Sequence, residues 1–166
     1  MFTLKRLSKD GIEGALAKAE RYRLLNEPWQ AESICRDVLE VEPGNQRAVI
    51  GLLLALTDQF ARQRAPTVDE VRSLLPRLED EYKRAYYEGI ICERRGKALW
   101  QRHTPGSGPI AYDWFRQAME HYDRADSLKS PGNEEAALRW NTCARVLMKY
   151  SELQPAVADD FQPMLE

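Results

Sequence analysis

Strand signals are nearly absent from this sequence. It has no sustained period-two alternation of apolar and polar residues and no Asn-Gly hairpin turn, which argues against a sheet. Cysteine and histidine are scarce. Cys35, Cys92 and Cys143 stand far apart without a CxxC pair, and an odd, scattered set fits neither a disulfide framework nor a zinc site. They read as small buried apolar residues in a reducing compartment. His103 and His121 have no carboxylate or cysteine cluster at ligand spacing, and read as a loop histidine and a helix-surface histidine. No metal or other cofactor is expected. Gly-rich phosphate loops are missing too, since Gly106-Ser107-Gly108 has neither a lysine partner nor a preceding strand. No Ser/His/Asp set is supported. Glu79, Asp80 and Glu81 are consecutive, so they fan around a helix instead of converging as a carboxylate pair. They suit a solvated helix start, where acids favour the dipole. No enzymatic chemistry is expected.

Neither sign of charge dominates. The 24 basic and 26 acidic side chains leave a net charge of −2, which gives no basic footprint of the kind nucleic-acid binders carry. Long apolar runs are also lacking: the longest, Ala48 to Leu56, covers about half a bilayer-spanning helix. The start, MFTLKRLSKDG, is too short and too charged for a signal-peptide core. The expectation is a cytoplasmic protein that does not engage a membrane.

What is present is helix. With 43% hydrophobic and 30% charged residues, a chain of 166 residues buries a core as one domain or one short repeat array. Asp10 with Glu13 predicts a capping box, followed by Leu16, Ala19 and Leu24 at helical spacing. Asn26-Glu27-Pro28 breaks this helix, and a second runs from about Pro28 to Val41. Pro43-Gly44-Asn45 stops it, with glycine expected in the left-handed cap. A third helix, about Gln46 to Ala61, is apolar all round and should be central. Thr67 with Glu70 predicts a second capping box for a short fourth helix ending near Pro76. A long fifth helix is expected from about Glu79 to Gln101, a loop over 103–109, a sixth helix from about Ile110 to Leu128, and a seventh from about Glu134 to Tyr150. The organisation is then an N-terminal extension over 1–10, a helical domain over 11–150, and an acidic, proline-containing tail over 151–166.

Two stretches share a pattern. Ala31, Cys35 and Val38 precede Pro43-Gly44-Asn45 and Ala48; Ala118, Tyr122 and Ala125 precede Pro131-Gly132-Asn133 and Ala136. Small residues at these positions let two helices approach closely, and the mid-sized residue fills the gap beside them. With Ala15, Ala19 and Tyr22 on the preceding helix, the first unit resembles the tetratricopeptide repeat (TPR) family, whose unit is 34 residues. Ala15 stands where a bulkier residue is usual in that family, and Lys18 where leucine is usual. A second, degenerate copy carries Val49, Leu52, Leu53 and Leu56, with Pro76 lying 33 residues after Pro43. A third shows Ala85, Gly89 and Cys92 before Ala118, Tyr122 and Ala125. There Gly89 and Ala118 are 29 positions apart, against 12 between Ala19 and Ala31. Both helices of that pair should therefore extend by about two turns, roughly 10 Å, and protrude. The seventh helix caps the array with Ala137, Trp140, Ala144 and Leu147 inward.

The resemblance implies an all-α, TPR-like array of helical hairpins, about three repeats plus a capping helix. It also implies a concave face that binds a peptide or helix of another protein. Positions matching that face include Leu16, Arg47, Ile50, Leu54, Lys83, Tyr86, Tyr87, Ile90 and Arg94. Apolar Ile50, Leu54, Tyr86 and Ile90 rimmed by Arg47, Lys83 and Arg94 suit an apolar segment with acidic flanks; the plainer reading has the cap or tail covering them. Leu16, Glu20 and Gly51 stand where a carboxylate clamp for chaperone tails needs polar or cationic groups, so no such clamp is expected. On the protruding pair, Arg94, Arg95, Lys97, Trp100, Arg102 and His103 face Tyr112, Trp114 and Phe115. Basic and aromatic residues so interleaved can bind nucleic acid or an acidic partner, and equally suit a hairpin packing its own aromatics under solvated charges. The segment Asp159 to Glu166 reads as a mobile tail or as a ligand for the groove of the same or a second copy, which would give a homo-oligomer. The expected function is that of a non-catalytic adaptor or scaffold. A small chaperone for a secreted or assembling subunit is the alternative, and nucleic acid is not an expected partner.

Overall fold

A computed structural model describes residues 1–156; the acidic segment Asp159 to Glu166 lies outside the described residues. Seven α-helices and no strand occur among the described residues. A 3-10 turn, Lys9–Gly11, leads into α1, Ile12–Leu24. The Asp10–Glu13 capping box does not form: Asp10 is taken up in the turn, and Gly11 caps α1 without a side-chain hydrogen bond. α1 closes in a Schellman motif. Asn26 is left-handed (φ 59°) and donates to the Arg23 carbonyl, while the Glu27 amide donates to Tyr22 at 2.9 Å.

The break lets α2, Pro28–Val41, fold back on α1 with proline in its first turn. The two Pro-Gly-Asn turns then differ. Gly132 is left-handed (φ 84°) but Gly44 is not, so α2 is ended by the extended backbone of Glu42 and by Pro43. Asn45 caps α3, Gln46–Thr57, by accepting the Ala48 amide at 3.0 Å. α3 stops four residues short of the expected Ala61. There the chain turns so that Phe60, 1% exposed, enters the core. Thr67 caps α4, Val68–Arg72, as its capping box predicts, and Pro76 sits in a 3-10 turn, Leu75–Arg77. Asp80 caps α5, Glu81–Trp100. α6, Ser107–Ser127, begins within the expected loop: left-handed Gly106 precedes it and Pro109 occupies its first turn, where no amide donor is needed. α7 spans Glu135–Lys149.

Each helix packs on the next in the chain, and α1, α3 and α5 also touch in succession. The apolar core divides in two about α5. Ile91 and Ala98 of α5 join the cluster built from α1 to α4, while Ala85, Ile90 and Cys92 join the one built from α6, α7 and Leu153. Close approach at the two mid-sized residues is allowed by glycine. A methyl on Gly51 would meet Cys35 Sγ at 2.8 Å, and one on Gly89 would meet the Tyr122 ring at 2.5 Å. α7 turns Ala136 and Cys143 fully inward, with Trp140, Ala144 and Leu147 half-buried beside them.

At 20 and 21 residues, α5 and α6 exceed α1 and α2, at 13 and 14, by about two turns, the extension expected from the spacing. The far end of the pair is nevertheless held by the chain after α7. Trp100 packs against Tyr150 with the rings tilted, 4.5 Å between centroids, and its Nε1 donates to Glu152 at 3.1 Å. Leu153 is wholly buried, and the Glu152 carbonyl lies where a side chain on Gly108 would have to go. The boundary drawn at residue 150 therefore cuts through the core.

Candidate functional site

Along α1, α3 and α5 runs a half-buried apolar stripe. Leu16, Ala19, Ile50 and Leu54 line a cleft of about 120 Å³ between α1 and α3, with Arg23 and Arg47 at its mouth. Leu54 and Tyr87 touch both core clusters, so the stripe continues from this cleft onto α5. It ends in a larger cleft of about 470 Å³, lined by Tyr82, Lys83, Tyr86, Tyr87 and Asn133. Tyr82 stacks on Tyr86 at 5.8 Å, and Tyr87 meets Tyr86 edge-on at 5.2 Å, so the rings form one rigid wall. Burial pushes the Tyr87 phenol up to about 12.

Of the ten residues assigned to a partner surface, Ile50, Leu54, Lys83, Tyr86 and Tyr87 lie together on this stripe, half-buried. Ile90 does not. At 1% exposure it is core: it shares a side of α5 with Tyr86, but one turn further along it packs into the cluster built from α6 and α7. Leu16, 3% exposed, forms only the floor of the cleft. Arg94 is also withdrawn: it lies between α5 and α3, donating to Asp58 and Thr57 at 2.6 Å and to the Leu54 carbonyl at 3.1 Å. Burial lowers its pKa, and Asp58 opposes that shift. Arg47 remains at the surface but bridges Glu13 at 2.7 Å and Glu20 at 3.3 Å. Trp100 is engaged by Tyr150 and Glu152 at the hairpin end.

Side-chain charges beside the stripe are paired in a string. Asp58 takes Arg23 at 2.7 Å as well as Arg94, and Glu93 accepts from Tyr122 at 2.5 Å and from Arg139 at 3.0 Å. Burial disfavours the Arg139 charge, yet Glu93, Tyr122 and Tyr86 together hold its pKa above the usual value. This string joins α1, α3, α5, α6 and α7, and Asp58, Glu93, Arg94 and Arg139 line a cleft of about 290 Å³.

Two aromatic residues of the long hairpin, and Arg94 among its basic ones, are likewise engaged within the protein. Phe115 is buried, and Trp114 receives the Arg72 guanidinium 5.6 Å from its ring centroid. The histidine reading needs correction. His121 lies between the arms, with Nε2 3.9 Å from Glu88 Oε1, while Cys92 Sγ is 3.7 Å from the same oxygen. Arg72 of α4 donates to Glu88 at 2.7 Å and to Cys92 Sγ at 3.7 Å. Burial pushes the Cys92 thiol up to about 12, with Glu88 adding to the rise, and burial lowers the His121 pKa. Glu88, Cys92 and His121 bring metal-binding atoms within 4.8 Å of one another. The signal was available in the register, since Gly89 against Tyr122 sets Glu88 beside His121.

No helix among the described residues is long and apolar enough to cross a membrane. Searches of family models, curated proteins and solved structures give no match to this chain.

Proposed function

We propose that this chain is a non-catalytic protein-interaction module, a TPR-like stack of helical hairpins that holds a peptide or helix of another protein against the stripe on α1, α3 and α5. The observation that carries this reading is the continuity of half-buried apolar side chains Ile50, Leu54, Tyr87 and Tyr86 across two helices, with a cleft at each end. The packing order supports the repeat interpretation. The first helices of successive pairs touch one another, and the second helix of each pair also touches the first helix of the next. Stacked hairpins of this kind present extended binding surfaces instead of closed pockets.

Recognition rests on apolar burial, with two cations setting register. Lys83 forms no ion pair among the described residues, and Arg47 lies on exposed carboxylates that a partner's carboxylate can replace. The partner segment is therefore an apolar one flanked by acids. The nucleic-acid reading has less support, because Phe115 is buried and Trp100 and Trp114, half-buried, are engaged by Tyr150 and Arg72.

Affinity capture with wild type, Ile50→Glu and Tyr86→Ala, each first shown to melt as a folded protein, tests this reading. A polypeptide retained by wild type and lost by both variants is the expected result. Identical partner lists for all three proteins would contradict it.

A further inference from the structure

The Glu88, Cys92 and His121 ligand atoms lie within 4.8 Å of one another, near the spacing of three corners of a metal tetrahedron. Zinc bonds of about 2.0–2.3 Å at tetrahedral angles place ligand atoms about 3.5 Å apart. Two edges here measure 3.7 Å (Cys92 Sγ to Glu88 Oε1) and 3.9 Å (His121 Nε2 to Glu88 Oε1). The three atoms come from two rigid helices, Glu88 and Cys92 at helical spacing i and i+4 on α5 and His121 facing them from α6. One sulfur, one imidazole nitrogen and one carboxylate oxygen form a mixed donor set that suits zinc and not calcium or magnesium, which take oxygen. The cation now in this place is a guanidinium: both Nε and Nη2 of Arg72 lie 2.7 Å from Glu88 Oε1.

We propose that Glu88, Cys92 and His121 form a binding site for a zinc-class divalent cation that displaces Arg72. Binding exchanges one proton. The Cys92 thiol loses its hydrogen to solvent as the sulfur–metal bond forms, His121 binds as neutral imidazole, and water completes the tetrahedron. Charge is conserved at the cluster: Arg72 with Glu88 is neutral before, and a divalent ion with Glu88 and the Cys92 thiolate is neutral after. Arg72 then carries its charge into water and gives up its place over Trp114. Because Arg72 is the last residue of α4, metal loading removes the ion pair that ties the end of that helix to α5, while Val71 stays in the core.

Cobalt(II) titration of the Cys35→Ser/Cys143→Ser chain tests the site, since cobalt bound to thiolate gives a charge-transfer band in the near ultraviolet. One equivalent should produce the band, and zinc should abolish it. His121→Ala and Glu88→Gln should each weaken cobalt binding by about tenfold or more, and Arg72→Met should tighten it. These three variants change partly exposed side chains, so they report even where Cys92→Ser does not fold. The proposal is overturned if no thiolate band appears in the chain that retains Arg72, or if the band persists undiminished in His121→Ala and Glu88→Gln.

Discussion

Gly89 and Tyr122 show most plainly how single residues fix this architecture. The Tyr122 ring is wholly buried and lies where a Gly89 side chain would begin, so it has nowhere to retreat. Gly89→Ala should cost about 2–3 kcal/mol, lowering Tm by about 5–10 °C; an unchanged melt would contradict the packing described. Asp58 is as demanding electrostatically. It neutralises both Arg23 and Arg94, all three side chains being no more than 23% exposed. Asp58→Asn leaves two guanidiniums facing one amide and should destabilise by about 2 kcal/mol, measured by urea unfolding. The three thiols give a pH dependence. Unfolded cysteine titrates near 9.0, whereas burial pushes Cys35 up to about 11 and Cys92 and Cys143 to about 12. The unfolded chain thus releases these protons first, so the stability is full below pH 9.0 and falls as pH rises towards 12. The urea midpoint of Cys35→Ala/Cys143→Ala should decline less steeply over this range than that of wild type; equal slopes would contradict it.

Among the elements, the long α5–α6 pair carries the clearest lesson about what a sequence discloses. Its length was legible from the spacing between Gly89 and Ala118, because both motif halves have to face each other. Its covered end was not. Nothing local distinguishes Leu153 in a Pro-containing segment from a residue in a free tail, and only its place in the α6–α7 cluster, beside the Glu152 contacts with Trp100 and Gly108, makes it core. Leu153→Ala should therefore destabilise by about 2–4 kcal/mol and shift Trp100 emission to longer wavelength; a surface-like effect below about 0.5 kcal/mol would show the end of the hairpin to be free. Turn chemistry was legible only in part. Asn45 and Thr67 cap as their side chains dictate, but of Gly44 and Gly132, in identical Pro-Gly-Asn turns, only Gly132 is left-handed.

For the whole molecule, periodicity revealed the all-helical fold, since the 3.6-residue pattern depends only on which faces are apolar. Ile50, Leu54, Tyr86 and Tyr87, grouped from their spacing, are all half-buried on α3 and α5. The charges beside this stripe were not legible, because ion pairing is decided between helices. Arg94 and Arg47 meet Asp58, Glu13 and Glu20 across gaps of 27 to 36 residues that no local pattern encodes. The central claim is that this stripe binds an apolar, acid-flanked segment of another protein. Its most direct measurement is a peptide-library selection on the folded chain, followed by affinities of the recovered peptides for wild type, Ile50→Glu and the distant surface variant Trp29→Ala. The account predicts peptides with an apolar centre and acidic flanks that lose at least about tenfold affinity to Ile50→Glu, a loss of about 1.4 kcal/mol, and none to Trp29→Ala. Peptides that bind Ile50→Glu as tightly as wild type would contradict it.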